Sequence, residues 1–196
     1  NNVNQYFQNA NKKSKEFTWA EWIFKVGDRI IFLDTRRSAL LYNNLKGTIV
    51  DIKKTYSSII FTIDIKTYLT GEQCKYESFE YVENINGDTR IKIEVIKWND
   101  ELTDEERIRT VIPFQIAYAI SIHKAQGLEY KSVKVVIPSS NAERITHSIF
   151  YTAITRAKEN LKIYWSAETM NKIVKSFTDQ NIQHRTLEII KEKLKK

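Results

Sequence analysis

The hydrophobic rhythm of this chain changes once, near Pro113, and that change limits the folds open to it. From Val26 onward, apolar residues fall into five short runs at 29–33, 47–52, 58–65, 75–81 and 90–98, rich in Ile, Val, Phe, Tyr and Thr. Asn43-Asn44, Thr70-Gly71 and Asn86-Gly87-Asp88 punctuate them. Such side chains suit a pleated surface, and five runs at this spacing predict a small β-barrel or a strongly bent antiparallel sheet. Asn86-Gly87 predicts a hairpin, because both residues tolerate positive φ. Past Pro113 the pattern alternates. Residues 116–122 and 133–137 read as buried strands, and Ser140-Asn141-Ala142-Glu143 has the spacing of a capping box that opens a helix through about Lys158. Residues 161–165 read as a third buried strand. Strand, helix and strand in that order predict a parallel sheet with flanking helices, so the expected class is α/β with a β-rich appendage.

The remaining segments are less patterned. Residues 1–25 read as a helical or irregular lead-in whose Phe17, Trp19, Trp22 and Phe24 dock onto other structure. Residues 100–109 read as a charged connector or short exposed helix, and 167–177 and 182–194 as closing helices. The expected division is a lead-in at 1–25, a barrel at 26–98 with its connector to 110, and an α/β half at 111–196.

Charge narrows the partners. The net charge is +7, yet residues 1–110 hold 17 Lys and Arg against 17 Asp and Glu, so all the excess lies in the last 86 positions. A polyanionic partner is compatible with this, although the lysines at 191–196 read as a solvated helix end. No apolar run approaches the roughly 18 residues of a membrane span, so no membrane partner is expected. Cys74 is the only cysteine, which excludes an intramolecular disulfide and a cysteine-cluster zinc site. His123, His147 and His184 are too scattered for a ligand set, and no metal is expected. A reducing, cytoplasmic setting fits. The opening Asn1-Asn2-Val3 and the single methionine, Met170, suggest a piece of a longer protein.

Two clusters carry chemistry. In the first, a predicted strand ends and delivers Ser121, His123, Lys124, Gln126, Gly127 and Glu129 within nine positions. Ligands in open α/β sheets bind at the carboxyl ends of strands, which is where this cluster would lie. Lys124 offers a point charge to phosphate, Glu129 an acceptor to a sugar hydroxyl, and Gly127 a close backbone approach. An ordinary polar turn explains any one of them equally well. In the second cluster, Tyr151, Thr152 and Arg156 sit on the predicted helix. Thr152 and Arg156 are four apart and share a face. A guanidinium there presents a planar fork of donors to a phosphate across a cleft. It also suits the negative end of a helix dipole, which is the plainer reading of one helix alone.

The wording of these clusters, from Ala117 to Tyr130 and from Phe150 to Tyr164, resembles motifs V and VI of superfamily 1 helicases, most of all the RecD and UvrD-type C-terminal helicase domain. The resemblance is strong over residues 116–165. Residues 26–32 and 43–50 also resemble, less specifically, the small Src-homology-3-like barrel that RecD-type enzymes insert before motif V. The resemblance implies a RecA-like, P-loop NTPase-type C-terminal half with an inserted barrel. It implies an arginine finger at Arg156 on the γ-phosphate of ATP held largely by an N-terminal RecA-like domain. It places Gln126, Gly127 and Glu129 towards the nucleotide. Ser121, His123, Lys124, Tyr151 and Thr152 fall towards single-stranded DNA, with RNA left open.

No G-x-x-x-x-G-K-[ST] sequence occurs, and no Asp-Glu pair closes an apolar strand. ATP and Mg²⁺ are therefore expected in the intact parent, with none held by this chain alone, which should be catalytically silent. The rival readings are a non-catalytic nucleic-acid-binding module and a degenerate helicase-like scaffold.

Overall fold

Strict alternation builds the first half of the molecule. In the computed structural model, which describes residues 2–10, 14–33 and 36–177, strand β5 (Ser58–Ile65) pairs with β7 (Asp88–Ile96) in unbroken antiparallel register. Ile59, Phe61 and Ile63 face Val95, Ile93 and Ile91 across the ladder, and all six are buried. A slip of one residue would turn this whole set to solvent, so the register is specified by the sequence itself. Around this pair a six-stranded sheet forms in the order β6-β7-β5-β4-β3-β8. Its other members are β3 (Arg29–Phe32), β4 (Lys46–Lys54), β6 (Glu80–Ile85) and β8 (Phe114–Ile116). The β6–β7 turn is the expected one: Ile85 pairs with Asp88, and Asn86 and Gly87 take φ of 52° and 86°.

The chain divides into two compact units, Asn1–Ala119 and Ile120–Lys196. The first contains this sheet, helix α1 (Asn2–Ala10), the hairpin of β1 (Glu16–Trp19) and β2 (Trp22–Lys25), and helix α2 (Asp104–Arg109). Its core is aromatic at the centre: Phe61 and Phe114 lie 5.1 Å apart, Phe24 meets both edge-on, and Phe32 meets Phe114 edge-on. The described residues among 1–25 therefore form a helix and a hairpin rather than an irregular lead-in, although Trp22, expected to dock, is 53% exposed. Ala20, at φ 51°, turns the hairpin, and Trp19 and Phe24 dock into the sheet's own core. Thr103 and Glu106 form a reciprocal capping box that starts α2.

Two expected strands in this region are corrected. Residues 75–81 do not form one; the chain turns from Gly71 to Ser78 and β6 starts at Glu80. Thr70 and Gln73 exchange side-chain-to-backbone bonds, and the Cys74 amide bonds to the Thr70 carbonyl at 3.2 Å. These local bonds compete with a ladder, while Cys74 and Phe79 still reach the core. Residues 116–122 are not a buried strand either. The chain pairs only over Phe114–Ile116, antiparallel to β3, because β3 offers a free edge and Phe114 fills the aromatic cluster. Beyond it the Asn4 side chain replaces the ladder, donating to the carbonyls of Ile116 and Ala119 and accepting from the Ala119 amide.

The second unit holds a parallel pair, β9 (Tyr130–Val136) and β10 (Ala157–Tyr164). The single helix expected from Ser140 to about Lys158 is two. A 3₁₀ helix, Ser139–Arg144, ends at an extended Ile145, and helix α3 (His147–Ile154) begins anew. Thr146 causes the restart: its hydroxyl caps the Ile149 amide at 3.3 Å. Residues 167–177 are helical, and Ile173 joins Val135, Ile137, Ala142 and Ala153 in the second core. The helix expected at 182–194 lies outside the described residues. Among the described residues no helix is long and apolar enough to cross a membrane.

Candidate functional site

The first cluster occupies a run of tight turns rather than the tip of a strand. The Ala125 amide reaches the carbonyls of Ser121 and Ile122, Gln126 that of His123, and Leu128 that of Ala125, all at 3.1–3.3 Å. These bonds use up the backbone and leave the side chains outward. Ser121, His123, Gln126 and Glu129 are exposed, and Lys124 is half-buried. Gly127 takes φ of 79°, and a Cβ there would meet no protein atom within 4 Å. Its requirement is conformational: a left-handed residue is needed to turn the chain into β9.

Glu129 does not stand alone. Its Oε2 lies 2.8 Å from Lys158 Nζ, and the Lys158 hydrogen bond, the Lys158 charge and the more distant Arg156 hold its carboxyl below the usual range. Both partners are exposed, so the pair adds little to stability. It does fix a charged carboxylate beside the end of the turn segment.

Arg156 lies one residue past the C-cap of α3, in the turn that leads into β10, so it is not on the helix. Its position four residues after Thr152 still brings the two together. Arg156 Nε donates to the Thr152 carbonyl at 3.0 Å, Nη1 to the Leu128 carbonyl at 3.0 Å, and Nη2 to Thr155 Oγ1 at 3.2 Å. The Tyr130 amide bonds to the Arg156 carbonyl at 2.8 Å. One residue thus stitches the turn segment to the end of α3 by both its backbone and its side chain. Three of the guanidinium's five N–H groups are engaged. The side chain is half-buried, and among the described residues it belongs to no ion pair.

Thr152 is half-buried, and Tyr151 is exposed with its ring stacked on His147 at 6.5 Å and 12°. The second cluster therefore includes residues that sequence reasoning passed over. His147 is one: its spacing of four from Tyr151 was the available signal. Thr155 is another, a C-cap whose hydroxyl orients the guanidinium, and nothing in the residue pattern marks it. Lys158 is the third. Among the described residues no group of three or more His, Cys, Asp or Glu could hold a metal.

Comparison with known proteins adds the following. Residues 116–164 match the UvrD-like helicase C-terminal domain. Among curated relatives, the RecBCD enzyme subunit RecD of Buchnera aphidicola subsp. Schizaphis graminum is 26% identical over 93 residues, covering 47% of this chain and 15% of that protein. The RecD subunit of Mycolicibacterium smegmatis is 41% identical over 46 residues, 24% of this chain and 8% of that protein. The chain thus spans 15% or less of the length of either relative. A crystal structure of Bacteroides Pif1 bound to ssDNA aligns with 92% of this chain and 45% of its own, at 14% identity and a TM-score of 0.42.

Proposed function

We propose that the superfamily 1 helicase C-terminal segment carried by residues 116–164 serves an ATP-driven DNA helicase or translocase as the arginine-bearing wall of its nucleotide cleft. The observation that carries this reading is the placement of Arg156. Its guanidinium is tied to the turn segment through Leu128 and to α3 through Thr152. A charge held from two sides costs no reorganisation when a phosphoryl group develops negative charge beside it. Two of its N–H groups are left for that purpose among the described residues.

In this reading the second unit is RecA-like, and the first is a Src-homology-3-like insertion with its lead-in. An N-terminal RecA-like domain of the parent binds most of ATP and Mg²⁺. Gln126, Gly127 and Glu129 face the nucleotide, with Glu129 already presented by Lys158. Ser121, His123, Lys124, Tyr151 and Thr152 face single-stranded DNA, and the turns at 121–128 pass cleft closure to that strand. The relatives are named as RecD subunits, and that description supports the assignment.

The test is Arg156→Ala in the full-length protein. DNA-stimulated ATP hydrolysis should fall by about 10³–10⁵, the range for arginine fingers in other NTPases, while the thermal transition persists. Turnover within tenfold of the unaltered protein would remove the assignment.

A further inference from the structure

The turns at 121–128 are anchored at both ends by residues far from them in sequence. At the C-terminal end, Arg156 holds the Leu128 carbonyl through Nη1 and the Tyr130 amide through its own carbonyl. At the N-terminal end stands Asn4 of helix α1, 6% exposed. Its Oδ1 accepts from the Ala119 amide at 2.6 Å, and its Nδ2 donates to the carbonyls of Ala119 at 3.0 Å and Ile116 at 3.1 Å. The Ala119 amide and carbonyl lie in the peptide planes on either side of its Cα, and the second plane ends at the Ile120 nitrogen. Peptide planes are rigid, so gripping both fixes the direction in which the chain leaves residue 119. Ile120 alone separates that grip from Ser121, whose carbonyl accepts the first bond of the turns. Little slack remains between the two.

Helix α1 is built around this grip. Asn4 and Gln8, one turn apart, are its buried residues, whereas Val3, Tyr6 and Phe7 stay exposed. That inverts the usual amphipathic pattern, in which the apolar stripe faces the core. Gln8 Nε2 donates to the Ile23 carbonyl at 2.9 Å and to Asp28 Oδ2 at 2.6 Å, and Phe7 stacks on Tyr118 with ring centres 6.0 Å apart. The helix is therefore attached by directional bonds that set where Asn4 stands. The residue type matters as well. A carboxamide carries an acceptor and two donors on one planar group, and Asn4 uses its oxygen once and its nitrogen twice. A carboxylate there would keep the Ala119 amide and turn a negative charge on two carbonyls.

We propose that Asn4 is a positioning residue for the candidate site, acting through Ala119 on the turns at 121–128 and, through Leu128, on the Arg156 guanidinium. This role presupposes that residues 116–164 form the arginine-bearing wall of a nucleotide cleft, and it adds α1 to what that wall requires. With the N-terminal anchor released, the Leu128 carbonyl loses its fixed place. The guanidinium it holds must then reorganise as charge develops on a phosphoryl group, and preorganisation of that kind is what lowers a barrier. The loss falls on the rate. Affinity for ATP, which in that reading resides in the N-terminal domain, is spared.

The experiment has two arms. The first is amide hydrogen exchange on this chain. Asn4→Ala should speed exchange at Ala125, Gln126 and Leu128 by about tenfold, the size of one or two lost hydrogen bonds. Asn4→Asp, which keeps the Ala119 amide bond, should give a smaller increase and serves where the alanine variant does not fold. Thr89→Val is the control. It removes buried bonds to the Leu69 amide and the Thr67 carbonyl in the same unit and touches nothing at 116–119. It should speed exchange at Phe61 and Ile63 and leave the three turn amides as they were. The second arm is Asn4→Ala in the full-length protein: kcat for DNA-stimulated ATP hydrolysis should fall about tenfold, with KM for ATP within about twofold. Unchanged turn amides in both Asn4 variants overturn the proposal. So does equal loosening by Thr89→Val, or a loosened turn with unaltered kcat. The exchange arm uses neither nucleotide nor DNA, so a failure of Asn4 to hold the turns and a failure of Arg156 to act on ATP are separate results.

Discussion

The buried carboxylate of Asp28 offers a quantitative test of how the first unit holds the chain just ahead of the turn segment. Asp28 is fully buried. Its Oδ2 accepts from Gln8 Nε2 at 2.6 Å and from the Lys25 amide at 2.8 Å, and its Oδ1 accepts from the Tyr118 hydroxyl at 3.0 Å. Asp28→Ala removes all three acceptor contacts. Gln8 Nε2 keeps the Ile23 carbonyl at 2.9 Å, but the buried Lys25 amide loses its side-chain acceptor and the Lys25 ammonium loses a neighbouring charge. An orphaned buried donor costs about 1–3 kcal/mol, and lost charge-assisted bonds add to it, so the expected destabilisation is about 3 kcal/mol. Asp28→Asn behaves differently. Its amide oxygen can take the place of Oδ2, and its Nδ2 can donate to the Tyr118 oxygen once that hydroxyl turns round. The substitution also removes the cost of burying a charge, which is the largest influence on this group and raises its pKa. The expected change at pH 7 is under about 1 kcal/mol.

The pH dependence follows with a definite sign. A carboxyl whose folded pKa is raised keeps its proton longer in the native state than in the unfolded chain. Stability therefore falls as pH climbs from the ordinary value of 3.8 through the raised one. Asp28→Asn lacks this slope, so its stability relative to the unaltered chain should improve as pH rises through that window. Urea unfolding at a series of pH values, with m checked for constancy, measures both effects. An Asp28→Ala cost under about 1 kcal/mol, or an Asn variant as unstable as the Ala variant, would refute the reasoning.

Tyr118→Phe should cost about 1–2 kcal/mol near neutrality, because it strips Asp28 Oδ1 of its donor. Burial and the Asp28 charge push the Tyr118 phenol up to about 12, so the unaltered chain should lose stability between pH 10 and 12 while the Phe variant is spared that slope; equal alkaline slopes in urea unfolding would contradict this. Gly47→Ala should destabilise by about 1–3 kcal/mol through overpacking, since the added Cβ would lie 2.8 Å from Ile63 Cγ2 and 3.3 Å from Ile30 Cγ1. A variant as stable as the parent in thermal unfolding would show that Ile63 has room to move.

The parts of the fold that could be read from the sequence are those with a period and a punctuation mark. Strand β5 has both, bounded at each end by polar turns, and its expected span of 58–65 is its observed span. Asn86-Gly87 fixed the β6–β7 hairpin because few residue pairs accept two positive φ angles. The parallel pair followed from two apolar runs separated by helical spacing, but its strands are not the buried ones expected: Val136, Leu161 and Tyr164 are exposed, and only Val135 of the two strands is buried. The failures have a common cause, competition from partners remote in sequence. Residues 116–122 read as one apolar run, yet the edge of β3 claimed three residues ending at Ile116 and Asn4, 112 positions upstream of Ile116, claimed the next. No local pattern reports an edge that needs covering. At 140–158 the signal was present and under-read: Thr146 is as good a helix start as Ser140, and the structure uses it.

The same distinction governs the candidate site. Its residue types were legible because they cluster, but their roles depend on backbone groups that carry no side-chain signature. Arg156 shows this most clearly. The four-residue spacing from Thr152 suggested a shared helix face, whereas the contact made is to the Thr152 carbonyl, from a residue already past the helix end. Its second anchor is the carbonyl of Leu128, 28 residues away, in a turn that Gly127 makes possible. A carbonyl is present at every position, so composition cannot single out the one that matters. A lysine at 156 would keep the charge and lose the fork that reaches both carbonyls. Fixing the guanidinium from two segments at once, rather than the charge itself, is therefore what distinguishes this arginine from an ordinary cation at the end of a helix.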